Sequence, residues 1–398
     1  MTDALSPAPQ PGALPTAVAV TTAVTTAATT TATTVATTAG EVLTAYLTAQ
    51  AATFLRALPV VRGAPGGGPG AVGGQAAGQT DELLRTVRRV GGALHTFAAM
   101  VEPGWARQLR EELRWLRDLL TQEPSCNRRL ARLLASLDSL TGTAAADRQP
   151  PRPGGPQPGA TGMLAGHPGA AKARALLERQ LTVARARVHT AALQELRSAR
   201  LHALADRMAL LTGEVPLTAV AGGPADEVLP PQAATALRSL VDAVESLPLV
   251  RAGAAYNGDA LHRLRAAERA LPDAGTAADA DADTALGSDD APWLRVRTLA
   301  ERARCALEVC EPLLGGQAPD TVVRLAALGR VLERHQDACD AAATAATAAR
   351  TPRITPATAY VLGVVHADQR LEVEAARYAF GRAWPDAAGS AWTPWPKA

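Results

Sequence analysis

Leu109, Leu113, Leu116, Leu119 and Leu120 return at intervals of three and four, and this period most constrains what the chain can fold into. Side chains so spaced share one face of an α-helix, which must be buried against another apolar face. Leu176, Leu177, Leu181, Val183, Val188 and Leu193 continue the pattern as far as Leu211. No stretch alternates apolar and polar residues long enough to predict a sheet. Aromatic residues make up only 3% of the chain and alanine is abundant, which favours helices packed closely through small side chains. The expected fold class is all-α, and 398 residues suffice for two packed units.

Residues 1–38 break the period. They are Pro-rich at first and then an Ala/Thr run with neither helical nor strand spacing, which predicts a disordered tail. Helical spacing starts near Gly40-Glu41-Val42-Leu43. Stretches rich in Pro, Gly or Asp then predict breaks at 63–79, 142–168, 213–232 and 271–292. The last carries Asp279, Asp281 and Asp283, but Thr284 stands where a calcium loop needs glycine and Asp290 where it needs glutamate. An acidic, solvated insertion is expected there.

The formal net charge of +2 hides a bias, because Lys172 and Lys397 are the only lysines among 40 basic residues. The other 38 are arginines, whose planar fork suits bidentate recognition of phosphate or carboxylate. A GC-rich coding sequence would give the same bias, so composition alone leaves both readings open. Cys126, Cys305, Cys310 and Cys339 form no CxxC pair and no Cys/His ligand spacing, so no metal site is expected and free thiols in a reducing cytoplasm are. The first residues lack the basic start of a signal peptide, and no run approaches the roughly 20 apolar residues of a membrane span. Gly66-Gly67-Gly68 is not followed by the lysine of a phosphate-binding loop, and no GxSxG or HExxH occurs. Glu372 and Glu374 imitate the start of an ExExK strand, but Ala376 replaces the lysine in a helical context. No enzyme activity and no cofactor are expected.

Five stretches in order are similar to the CHAD family, the histidine-containing α-helical domain associated with polyphosphate. They are Ala39–Leu43 running to Gln50 and Val60–Arg62; Arg88-Arg89-Val90 with Leu94 and Phe97; Leu109–Leu120; Leu193–Arg200; and Arg297 through Arg304 to Glu308, then Leu332–Asp337, ending at Ala383-Trp384-Pro385. The resemblance implies two four-helix bundles related by an internal pseudo-repeat, at residues 39–212 and 213–386, with a basic groove between them and a tail at 387–398. It also shows departures. Asp81 and Leu84 stand where the first basic helix of the family carries histidine and arginine, and Gly91 replaces an arginine. In the second basic helix Leu294, Glu301 and Cys305 replace histidine, lysine and tyrosine. After Leu120 the family's Gly-x-x-Arg-Asp turn reads Thr121, then Pro124-Ser125.

The residue spacing adds its own argument. Arg85, Arg88 and Arg89 fall within an arc of about 100° on a helix, and Arg297 and Arg304 are two turns apart on one face. Rows of guanidinium groups can bridge the successive charges of a phosphate chain. Each such arginine could equally sit on a solvated face paired with an acid, as Glu301 could pair with Arg297. The candidate ligand-binding residues are Arg88, Arg89, Arg200, Arg297, Arg302, Arg304 and His335. His262 precedes Arg263 and Arg265 but lacks the following arginine cluster, and His95, His167, His189, His202 and His366 show no ligand spacing. The expected function is noncatalytic binding of inorganic polyphosphate in the cytoplasm, with targeting to polyphosphate granules. The alternative is a degenerate scaffold for protein–protein contacts. Nucleic acid is the less favoured polyanion, because few aromatic side chains are available for base stacking.

Overall fold

The computed structural model describes residues 37–62, 72–143, 162–252, 278–314 and 318–388. They form α1 (Ala39–Val61), α2 (Val72–Thr96), α3 (Pro103–Thr141), α4 (Ala170–Glu195), α5 (Ala199–Leu210), α6 (Ala225–Glu245), the single turn α7 (Leu249–Ala252), α8 (Ala278–Leu314), α9 (Ala318–Ala349) and α10 (Pro356–Ala388). Extended pairing among the described residues is confined to two isolated bridges, Thr38 with Pro224 and Val101 with Leu217. The chain is all-α, and no described helix is long and apolar enough to cross a membrane.

The helix starts follow local chemistry. The Thr38 hydroxyl accepts from the Glu41 N–H at 3.2 Å, and the Glu41 carboxylate accepts from the Thr38 N–H at 2.8 Å. This reciprocal box satisfies two donors that the first turn leaves orphaned. The Thr37 carbonyl accepts from the Ala225 N–H at 2.9 Å. Thr37 is thus bonded to the helical fold, while residues 1–36 and 389–398 lie outside the described residues. α3 starts with the Glu102 carboxylate accepting from the N–H groups of Gly104 and Trp105, and ends at Gly142 with φ of 78°, a left-handed cap.

Three expected breaks are narrower than their composition suggests. Residues 72–79 already belong to α2, α6 starts at Ala225 and contains Pro230 and Pro231, and α8 runs through the acidic segment from Ala278 and contains Pro292. A proline inside a helix removes one backbone hydrogen bond, but packing on either side can hold the helix together. Leu229 and Ala233 bracket the two prolines of α6 and are fully buried.

The buried apolar residues gather in three clusters. The first joins Leu43, Leu47 and Phe54 of α1, Leu83 and Leu94 of α2, Leu109, Leu113 and Leu116 of α3, and Leu201 and Met208 of α5. The second joins Leu240 and Val244 of α6 to Trp293 and Val296 of α8, Leu325 and Leu332 of α9 and Phe380 of α10. The third joins the far end of α3, at Leu133 and Leu137, to Leu177 of α4, Ala341 and Ala345 of α9, and Val361 and Val365 of α10. The first cluster holds residues on both sides of position 212, from Leu211 to Val215 and Ala221. α6 gives Leu229 to the first cluster and Leu237 to the second, and α3 serves the first and third. Each fully buried leucine contributes about 2 kcal/mol of transfer free energy, which makes α3 a principal tie of the molecule.

Candidate polyanion-binding groove

α3 buries Leu109, Leu113 and Leu116, so its other faces are free for charge. Arg110, Arg114 and Arg117 follow at intervals of four and three and form a row along the helix. They line a groove with Arg88 and His95 of α2 and Thr298, Glu301 and Arg302 of α8. α2 and α8 approach closely here: a Cβ added at Gly92 would lie 3.0 Å from the Cys305 side chain. A side chain larger than Cys305, such as the tyrosine implied by the resemblance, has little room on the side of α2.

Positive charge in the groove is only partly compensated. Arg88 lies 3.6 Å from Glu301 and 3.9 Å from Glu333, and Arg117 pairs with Asp118 at 2.8 Å. No described carboxylate pairs with Arg110, Arg114 or Arg302. The Arg110 guanidinium donates from Nη1 to Nδ1 of His95 at 3.2 Å, and its buried Nε finds no partner among the described residues. Because arginine can only donate, His95 accepts through Nδ1 and in its neutral form carries its proton on Nε2. Burial, then Arg302 and Arg110, lower the His95 pKa. Burial, then Arg110 and Arg114, lower that of Arg302. Arg110, Arg114 and Arg302 thus repel one another, and a negative charge among them would relieve that repulsion. Beyond His95 and Arg302 the groove meets a second depression lined by Gln232, Thr235 and Ser239 of α6.

The sequence-derived candidates scatter over several places. Arg88 and Arg302 line the groove. Arg297 is tied to it through Glu333, at 3.7 Å, the carboxylate that Arg88 also faces. Arg89 and Arg304 instead converge on Glu308, which is only 10% exposed. Arg89 donates from Nε at 3.0 Å, Arg304 donates to the other oxygen, and the Tyr46 hydroxyl donates at 3.2 Å. Burial opposes the charge on Arg89, but Glu308 overrides it and raises the Arg89 pKa. Glu308 of α8 thus ties Tyr46 of α1 and Arg89 of α2 to its own helix, where Arg304 completes its partners. Arg200 donates to Glu112 at 2.6 Å and stacks 4.3 Å over Trp115.

His335 lies apart from the groove lining. It is 2% exposed, stacks 5.4 Å from Trp293 and accepts from Arg377 Nε at 3.2 Å, inside the α8–α9–α10 core. Burial and Arg377 push its pKa down to about 4, so it stays neutral and turns no face to the groove. Asp290 and Cys339 lie beside it, and the three could reach one cation, but Arg370 and Arg377 already hold the Asp290 carboxylate, at 2.7 and 2.5 Å. Burial raises the Cys339 thiol to about 12, so it is protonated at neutral pH and a poor nucleophile.

The substituted positions also have places. Asp81 is exposed, Leu84 is buried, Leu294 is 39% exposed, and Gly91 lines the groove with open space where a side chain would stand. Glu301 puts a negative charge in the groove. His262, Arg263 and Arg265 lie outside the described residues.

Sequence comparison matches this architecture. The model of the CHAD domain family covers residues 69–346. The structure is similar to that of PptA from Streptomyces chartreusis, at 40% sequence identity and a TM-score of 0.63, over 87% of this chain and 99% of that one. No curated protein matches the chain. The family match over residues 69–346, carried on helices whose arginines line a shared groove, shows that the chain belongs to the CHAD domain family.

Proposed function

We propose that this chain binds inorganic polyphosphate without turning it over, and that the ligand sits on Arg110, Arg114 and Arg302. The observation that carries the reading is the set of three clustered guanidiniums with no described carboxylate partner, in a family associated with polyphosphate. Arginines stay protonated at any physiological pH, so they hold successive phosphates but exchange no protons with them. On this reading the protein is a cytoplasmic one that docks on polyphosphate granules.

Titration with polyphosphate at low and physiological salt tests it. Binding should weaken steeply with salt, because each phosphate contacted releases condensed counter-ions. Replacing Arg114 and Arg302 together with alanine should lower affinity by about tenfold or more and flatten the salt dependence. If the intact protein fails to bind at low salt, a second reading takes over, that of a scaffold. Its specific support is that Glu301, Glu308 and Glu333 already pair with Arg88, Arg89, Arg297 and Arg304.

A further inference from the structure

The groove has two unlike ends. At one, His95, Arg110 and Arg302 meet, and no described carboxylate pairs with either arginine. At the other, two turns back along α2, Arg88 faces Glu301 and shares Glu333 with Arg297. Two turns of helix separate these ends by about 10 Å, so a short anion can occupy the first without reaching the second. A longer anion that extends along the groove past Arg88 meets the carboxylates Glu301 and Glu333 there.

We propose that Glu333 is a specificity-determining residue, a built-in counter-ion that makes this groove select short or terminal phosphate groups over the interior of a long chain. The inference rests on the polyphosphate reading and deepens it. Glu333 is placed for this role. It stands on α9, outside the groove lining, and covers two arginines of two other helices at once. Its distances of 3.7 and 3.9 Å are those of charge attraction without hydrogen bonds, so both guanidiniums keep their donors for another acceptor. Its side chain is 49% exposed, so Glu333→Gln removes the charge with little consequence for folding.

The test is titration of the full chain and its Glu333→Gln variant with tripolyphosphate and with long-chain polyphosphate, expressed per binding site. The variant should bind the long chain about fivefold more tightly, while tripolyphosphate stays within about twofold, since one exposed charge contact is worth up to about a factor of five. Adding Arg88→Ala should cancel the gain. An equal gain for both ligands would reduce Glu333 to a contributor to the general field and overturn the proposal, as would no gain for either. If the intact protein binds neither anion and Arg114→Ala with Arg302→Ala changes nothing, it is the polyphosphate reading that has failed. Binding of tripolyphosphate with no length preference to remove fails the Glu333 proposal alone.

Discussion

Acidification from pH 7 to pH 5 acts on this fold through His335, with His95 adding in the same direction. In the unfolded chain the His335 imidazole takes up a proton near pH 6.5, whereas in the folded protein burial and the facing Arg377 hold that proton off until about pH 4. Between these values the unfolded state binds more protons than the native one, so stability falls as pH falls. The contribution is complete above pH 6.5 and lost progressively down to pH 4. Weighing the two titrations at pH 5 against pH 7 gives a loss of about 2 kcal/mol from this ring. Asp290 does not confuse the window: its pKa is lowered below the ordinary 3.8, and its contribution is lost only under stronger acid. The perturbation to compare is His335→Gln, whose amide can still accept from Arg377 but does not titrate. Urea unfolding at pH 7, 6 and 5 should show the variant less stable at pH 7, because the stack on Trp293 is gone. The gap should then close by about 2 kcal/mol at pH 5. Parallel stability profiles for the two proteins would refute the argument and reopen the groove as a place for His335.

Glu308→Ala should leave Arg89 and Arg304 partly buried without their acid and cost about 3 kcal/mol of stability, read as a lower melting temperature. Thr38→Ala removes half of the capping box of α1 and should cost about 1 kcal/mol in the same assay. His95, whose pKa is lowered in the free protein, should gain a proton when an anion binds beside it. Tripolyphosphate affinity should then rise as pH falls from 8 to 6, more in the intact protein than in His95→Asn, and equal pH profiles would deny the coupling. Arg302→Gln relieves repulsion from Arg110 and Arg114, so it should leave the melting temperature unchanged or slightly higher while weakening anion binding.

The helical class was plain in the leucine spacing, because depth in a helical core is written in the period itself. The groove was half legible. Arg110, Arg114 and Arg117 repeat at helical intervals inside the same Leu109–Leu120 stretch, and reading that stretch for its leucines alone passes over the face beside them. His335 also carried a signal: it lies three residues after Leu332 and three before Ala338, on the apolar register of α9, where both neighbours are buried. Ion pairing was not legible. Glu308 meets Arg89 across 219 residues, and nothing in either segment announces which arginine will be neutralised. The prolines misled as break signals at 230, 231 and 292, because packing on both sides overrode the lost backbone bonds.

α3 is the feature with the widest evolutionary consequence. Its 39 residues run unbroken past Pro124, with Leu109–Leu116 locked in one core and Leu133 and Leu137 in another. A single inserted or deleted residue between them would swing everything downstream by about 100° and slide it by about 1.5 Å. Arg128, Arg129 and Arg132 would then leave Asp337, Asp340 and Glu372, and Leu133 would turn toward water. The helix can exchange residue types freely on its outer faces, yet its length is held fixed as a phase. Descendants of this chain should therefore drift in sequence along α3 while changing in size only where a helix has already ended.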